Sequence, residues 1–424
     1  MKEIRILHTA DWHADSDPKK LEKLESSLNQ IVDYCRNNKV NAIVHSGDVW
    51  EKRQSHDQKS GVPLVYEKLR ELSHLVDFIF ITKGNNSHDE PGSIKLLHQL
   101  EPNIYAYEYP VVLSVMTDGD VPVVDLLRID CAGDPRADYI VSLVPYPQKS
   151  GFLTETSIDN NNADFLEKFE QLFELIGDVT QPFTCPKILG LHANVVGSRL
   201  STGQTLVSQD IMVAPATIEK AQHDYYGLGH IHLRQELKPN MVYSGSIYNK
   251  SWGETEQKSF EVIYFDEVHN NAFLGCESKQ IMLESSRPMI KIDAEFIDGD
   301  FKWDLSITDN DDNTNAEFRF RCTVKENDRK LITEEKIDFL KSFFGEDVKI
   351  EFNIIPDERE SRSEAIMHAK TLLDEVFEYA KVIEFDNLVI INATDSIHGA
   401  DEVLDLPDSI KEKVLSLQNE EVFV

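Results

Sequence analysis

Positive charge is what this 424-residue chain has least of. It carries 43 lysines and arginines against 75 aspartates and glutamates, a formal net charge of −32. Residues 277–424 hold 36 acidic and 18 basic side chains, so −18 of that total falls in the last third. Such a chain opposes unaided approach to a nucleic-acid backbone, which draws basic surfaces. If the substrate is DNA, metal ions and a partner must supply the attraction; otherwise the acidity reflects solubility or a saline host. Cysteine is scarce too. Cys35, Cys131, Cys185, Cys276 and Cys322 lie far apart with no CxxC pair. That dispersal argues for reduced thiols in a cytosol, against both a disulfide framework and a thiolate zinc site. No stretch approaches the roughly 20 apolar residues of a membrane span, so no membrane partner is expected. Met1-Lys2-Glu3-Ile4-Arg5 has no signal-peptide apolar core, and the expected location is cytoplasmic, or host cytoplasm for a phage protein. Gly253-Glu254-Thr255-Glu256-Gln257-Lys258-Ser259 has the outline of a phosphate-binding loop but lacks the glycine before the lysine, so no nucleotide-hydrolysing motor is expected.

What is present is alternation. Apolar residues 4–7 predict a strand, and Leu21, Leu24, Leu28, Ile31, Val32 and Cys35 then recur at helical spacing. Residues 42–44 predict a second strand, Leu64, Val65, Leu69 and Leu72 a second helix, and residues 78–81 a third strand. Strand–helix alternation implies crossover units and an α/β core flanked by helices. Strands are predicted at 111–115, 121–129 and 140–144, a helix at 163–176, and a strand at 260–265 closing a first domain of residues 1–280. A boundary near 278–286 precedes a second, α+β domain at 284–357, with strands at 318–324 and 348–355 and a helix at 334–344. Residues 361–424 are predicted to form a helical tail with a long helix at 363–381, which would either dock a partner or pack on its own domain. The architecture is thus α/β at its core and α+β overall, and no internal repeat is present.

Chemistry-bearing residues recur at strand ends. Asp11-Trp12-His13 follows the first strand, Gly47-Asp48 the second, and Gly84-Asn85-Asn86-Ser87-His88-Asp89 the third. His192 follows the apolar run 188–191, and Gly229-His230-Ile231-His232 follows 225–228. Open α/β sheets place their binding sites at such ends. A lone DxH or HxH is structural more often than not; five such segments in order, each after a strand, are not explained that way. Carboxylate and imidazole without thiolate favour Mn²⁺, Fe or Zn²⁺ over an all-oxygen Mg²⁺ or Ca²⁺ site. Two such ions roughly 3.5–4 Å apart can clamp a phosphoryl group for in-line attack.

The order DxH, GD, GN…HD, H, GHxH resembles the calcineurin-like metallophosphoesterases. Tyr243-Ser244-Gly245-Ser246-Ile247, Trp252-Gly253-Glu254 with Lys258-Ser259-Phe260, and Ser286-Arg287-Pro288 make it similar to the SbcD-like nuclease subunits within that family. The resemblance covers roughly residues 1–300 and implies a β-sandwich flanked by helices, with a small capping domain and a helical tail. It implies one metal held by Asp11, His13, Asp48 and His232, and a second held by Asp48, an asparagine of the third motif, His192 and His230. His88 would stabilise the transition state or protonate the leaving group, with Asp89 orienting it. The third motif departs from the family's contiguous Gly-Asn-His-Asp, because Asn86-Ser87 intervenes. Asn85, directly after the glycine, is favoured as ligand, with Asn86 the alternative. Where some members carry a histidine after the GD motif this chain has Val49-Trp50-Glu51, with His56 nearby as a substitute or a surface residue. His398 reads as structural.

The resemblance further implies a Mn²⁺-dependent DNA nuclease, 3′-to-5′ on duplex ends and endonucleolytic on single strands or hairpins. Its partner would be an SbcC-type coiled-coil ATPase, in a heterotetramer containing a homodimer of this chain. The alternatives are a phosphoesterase acting on a small molecule or a protein, which suits the acidity, and a non-catalytic scaffold for the ATPase.

Overall fold

The computed structural model describes residues 3–52, 60–117, 122–127, 136–148, 161–201, 211–265, 275–304 and 315–356. The chain begins β1 (Ile4–Thr9), α1 (Pro18–Asn37), β2 (Ala42–Ser46), α2 (Val62–Ser73), β3 (Phe78–Thr82) and β4 (Ile104–Tyr107). It continues with β5 (Val111–Met116), β6 (Val123–Leu126), β7 (Tyr139–Val144), a helix at Asn161–Thr180, β8 (Lys187–His192), β9 (Asn194–Val195) and β10 (Met212–Val213). β11 (Tyr225–Gly229), β12 (Gln235–Lys238), β13 (Met241–Tyr243), β14 (Ser259–Phe265) and β15 (Cys276–Met282) follow. The predicted strand at 121–129 is thus described only as Val123–Leu126, and β15 occupies the first part of the stretch expected to be a linker.

Two sheets organise these elements. One runs β15-β14-β1-β2-β3-β4 and the other β12-β13-β11-β8-β7-β5-β6. β1 to β4 are mutually parallel, as are β13, β11, β8 and β7. Period-two alternation decides what each strand buries. Ile4, Ile6, Ala42, Val44, Phe78 and Phe80 face Val141, Leu143, Ile188 and Tyr225 of the opposite sheet. Leu7, Ile43, Ile79 and Ile81 point the other way, onto Leu24, Leu28, Ile31 and Val32 of α1 and Val65, Leu69 and Leu72 of α2. On the far side Leu189, Leu191, Tyr226 and Leu228 meet Phe165, Phe169, Phe173 and Ile176. The result is helix–sheet–sheet–helix, with strands apolar on both faces, which is why they read as continuous hydrophobic runs. α1 starts where Asp17 accepts the N–H groups of Lys19 and Lys20 at 2.9 and 3.2 Å, with Pro18 in the first turn. Such a cap is worth about 1 kcal/mol.

β16 (Met289–Ile297), β17 (Asp300–Trp303), β18 (Glu317–Lys325) and β19 (Lys349–Ile355) form a four-stranded sheet in the order β17-β16-β18-β19, and the helix Glu334–Phe344 precedes β19. The chain divides into two compact units, Met1–Cys322 with Thr333–Phe352 and Thr323–Ile332 with Asn353–Val424. The predicted tail at 361–424, with its helix at 363–381, and also His56, Cys131 and His398, lie outside the described residues. Among the described residues no helix is long and apolar enough to cross a membrane, and Cys35, Cys185, Cys276 and Cys322 form no disulfide.

Two core histidines make the fold acid-sensitive. His8 meets Ser46 Oγ at 3.1 Å, and His223 donates from Nδ1 to the Ala221 carbonyl at 2.7 Å while accepting from Ser142 Oγ at 2.8 Å. Burial pushes His8 down to about 3 and His223 to about 4. Once unfolded, each takes a proton below its ordinary value of about 6.5, so the unfolded chain binds more protons and stability falls as pH drops from about 6.5 toward 4. The unfolding free energy from urea titration should fall between pH 7.5 and 5, by up to about 1.4 kcal/mol per pH unit for each histidine. His223→Gln should flatten that slope; an unchanged slope in the variant would contradict the assignment.

Candidate metal centre

β1, β2 and β3 of one sheet and β8 and β11 of the other end at one edge of the sandwich, and the residues at their C-terminal ends carry the ionisable groups. Asp11, His13, Asp48 and His230 have φ of 54, 43, 57 and 102°, four of the six non-glycine residues with positive φ among those described. Each such residue costs on the order of 1–3 kcal/mol and persists only where the surroundings over-determine it. Here the loops after β1 and β2 zip together. Asp11 N–H donates to Gly47 O at 3.0 Å, His13 N–H to Asp48 O at 3.0 Å, Ala14 N–H to Val49 O at 2.9 Å, and Glu51 N–H to Ala14 O at 3.0 Å. The His230 N–H reaches both Asp11 carboxylate oxygens at 3.0 Å.

The loops approach so closely that two motif glycines admit nothing larger. A Cβ at Gly84 would lie 1.9 Å from Asp48 Oδ1 and 2.3 Å from its amide nitrogen, and one at Gly229 would lie 1.9 Å from the Ser46 carbonyl oxygen.

Three groups of ligand atoms result: His13, Glu51 and His88 form one, which shares His13 with the group Asp11, His13 and His232, and Asp48, His192 and His230 form the other of the two that the motifs supply; within each the atoms lie within 4.8 Å of one another. Asp48 stands between them. Its Oδ2 is 3.4 Å from His192 Nε2, 3.8 Å from His13 Nε2 and 3.9 Å from His88 Nε2. His192 Nδ1 donates to the Ser46 carbonyl at 2.7 Å, which leaves Nε2 as the free donor atom, buried and without a hydrogen-bond partner. His13 Nε2 and His232 Nε2 face each other at 2.9 Å, a spacing two lone pairs tolerate only around a proton or a cation.

Asn85 keeps the place beside Asp48: its N–H donates to Oδ1 at 2.9 Å and its Nδ2 lies 3.4 Å from Oδ2. The Asn85 Oδ1 is engaged by the inserted Ser87, and Asn86 is turned away onto Lys83 and Gln148. His88 sits at the rim, partly exposed, its Nδ1 donating to the Glu51 carbonyl at 2.6 Å. Asp89 is placed differently from the sequence expectation that it orients His88. Its carboxylate accepts the N–H groups of Asp48 at 3.0 Å, Gly84 at 2.7 Å and Trp50 at 3.1 Å, and so ties the second loop to the third.

Electrostatically this is a strained cluster. Burial works to raise the Asp48 carboxyl, yet the charge on His192 holds it down to about 2. Burial opposes charge on His192 in turn, but Asp48 outweighs it and raises the imidazole to about 9. Burial pushes Asp11 up to about 6 and, with the charge of Asp48, Asp89 up to about 7. Burial and the neighbouring His232 hold His13 well below its ordinary range. A bound divalent cation favours the deprotonated form of every carboxylate and imidazole here and relieves the repulsion. The donor set, carboxylate plus imidazole around buried nitrogens, fits such an ion.

Several neighbours were not singled out from the sequence. Glu51 Oε2 lies 3.1 Å from His13 Nδ1 and 2.5 Å from Lys250 Nζ. Glu254 accepts from His232 Nδ1 at 3.1 Å and pairs with Lys258 at 2.8 Å. The Tyr146 ring stands 5.4 Å from that of His230. Glu51 and Glu254 lie in segments that the sequence marks, Val49-Trp50-Glu51 and Trp252-Gly253-Glu254, though neither carries a role there; Lys250 and Tyr146 gave no signal.

Residues 4–234 match the family model described as calcineurin-like phosphoesterase. The chain belongs to that family, whose members use divalent metals, and it is accordingly a hydrolase of phosphoesters. Among curated proteins it is similar to the SbcD component of the SbcCD nuclease of Bacillus subtilis (strain 168), 26% identical over 311 residues that cover 68% of this chain and 72% of the relative. Among solved structures it is loosely similar to GAP50, the anchor in the inner membrane complex of Plasmodium, with a TM-score of 0.39 and 12% identity over 67% of this chain and 86% of that one.

Gly84→Ala should therefore empty the centre without unfolding the sandwich, because the new methyl displaces the Asp48 carboxylate. Gly92→Ala, with nothing within 4 Å, should cost backbone strain only. Metal content of the two purified variants checks this; full metal in Gly84→Ala would contradict the close approach.

Proposed function

We propose that this chain is a dinuclear, Mn²⁺-dependent DNA nuclease, the catalytic subunit of an end-processing complex with an SbcC-type coiled-coil ATPase. Asp11, His13, Asp48 and His232 hold one cation, and Asp48, Asn85, His192 and His230 hold the other. The observation that carries the reading is the position of Asp48, one of whose oxygens faces imidazoles of both groups at 3.4 and 3.8 Å. When bound, the paired cations supply positive charge to the phosphoryl oxygens and lower the pKa of the attacking water. The chain's own residues do the rest. Asp48 fixes the two positions relative to each other, Asp89 holds the loops that aim Asp48, and partly exposed His88 presents Nε2 toward the substrate side. With Nδ1–H committed to the Glu51 carbonyl, His88 carries any transferred proton on Nε2, where it can be given to the leaving oxygen. DNA as substrate is supported by the nuclease relative, and the net charge of −32 is why a partner is assigned the duplex-gripping role.

His88→Ala should keep its metal and lose about 10²–10⁴-fold in cleavage rate, the usual size of general acid–base help. Asp48→Ala should lose metal and activity together, more than any single histidine change. The function itself is tested by incubating the full chain with plasmid, hairpin DNA and a chromogenic phosphodiester, with and without Mn²⁺. Mn²⁺-dependent cleavage of hairpin and plasmid supports the nuclease. Cleavage of the chromogenic diester alone would favour a small-substrate phosphoesterase, the reading that suits the acidity.

A further inference from the structure

The segment around Trp252-Gly253-Glu254 and Lys258 is left without a task by the proposed chemistry, yet it lies against the centre. Glu254 is 4% exposed. Its Oε1 accepts from His232 Nδ1 at 3.1 Å. Its Oε2 accepts the Lys250 N–H at 3.1 Å and pairs with Lys258 Nζ at 2.8 Å. Lys258, 2% exposed, also donates to the His232 carbonyl at 3.2 Å. Lys250 Nζ meets Glu51 Oε2 at 2.5 Å; that oxygen faces His13 Nδ1 at 3.1 Å, and the Glu51 carbonyl takes the Nδ1 hydrogen of His88 at 2.6 Å. One carboxylate thus sets His232 directly and reaches His13 and His88 through Lys250 and Glu51.

Glu254 is itself held from β16. Gly253 N–H donates to Met289 O and Met289 N–H to Glu254 O, each at 2.9 Å, and Asn249 Nδ2 donates to the same Glu254 carbonyl at 3.0 Å. In the other group His192 Nδ1 rests instead on the neutral Ser46 carbonyl at 2.7 Å. An imidazole whose far nitrogen donates to a carboxylate is a stronger and better-oriented metal ligand than one donating to an amide carbonyl.

We propose that Glu254 is a positioning residue which makes the Asp11/His13/His232 position the tighter of the two cation positions. This rests on the dinuclear reading above. Titration of metal-stripped full-length protein with Mn²⁺, followed by calorimetry, tests both separately. The wild type should take up two ions in a tight and a weaker step; fewer than two would overturn the dinuclear reading. Glu254→Gln keeps the shape and removes the charge, and should weaken the tight step by ~10–100-fold, the usual cost of losing such a partner, while the weaker step stays where it is. Glu254→Asp, which retains a carboxylate, should recover part of the loss. Two unaltered steps in Glu254→Gln, or an equal weakening of both, would overturn the inference. Should Glu254→Gln fail to fold, Glu51→Gln, on a separate loop, decides: a smaller loss confined to the tight step supports the inference, and an unchanged or evenly spread loss overturns it.

Discussion

Three imidazoles converge on a single oxygen of Asp48, and the construction of the sandwich follows from making that possible. A carboxylate at 2% exposure, 3.4 to 3.9 Å from three ring nitrogens, is expensive to bury without compensating positive charge. The chain meets the cost structurally. Parallel strands of two facing sheets bring five loops to one edge, glycines let the second, third and fifth loops touch, and Asp89 commits both its oxygens to the backbone N–H groups that aim Asp48. Backbone strain sits at the same place, in four residues that bear the ionisable side chains.

The centre is built asymmetrically. Its donors are the same in kind at both positions, but what stands behind them differs: a charged carboxylate paired with Lys258 behind His232, a peptide carbonyl behind His192. The reciprocal backbone pair between Met289 and the Gly253–Glu254 turn ties that turn to β16 of the four-stranded sheet.

Much of this was legible in the sequence. Strands apolar on both faces announce themselves as short hydrophobic runs, so β1, β2, β3, β8 and β11 and the motifs at their ends could be placed without coordinates. Asp11, His13, Asp48, His192, His230 and His232 are brought together, and Asn85 adjoins Asp48 while Asn86 does not. The neighbours were harder because they are set by approach in space. Lys250 reaches Glu51 from a distant part of the chain, and nothing local marks Lys250. Asp89 looked like a partner of its neighbour His88; only the fold shows that its oxygens are consumed by backbone groups of the loops after β2 and β3. β15 was hidden because an edge strand alternating exposed and half-buried polar residues reads like a linker.

The central claim is that Asp48 links two cations. Electron paramagnetic resonance of the protein loaded with two equivalents of Mn²⁺ tests it most directly, because ions held roughly 3.5–4 Å apart by a shared ligand are magnetically coupled. The account predicts a coupled multiline spectrum in the wild type, replaced in Asp48→Ala by the signal of unbound Mn²⁺. Only isolated Mn²⁺ signals in the wild type at full loading would contradict it.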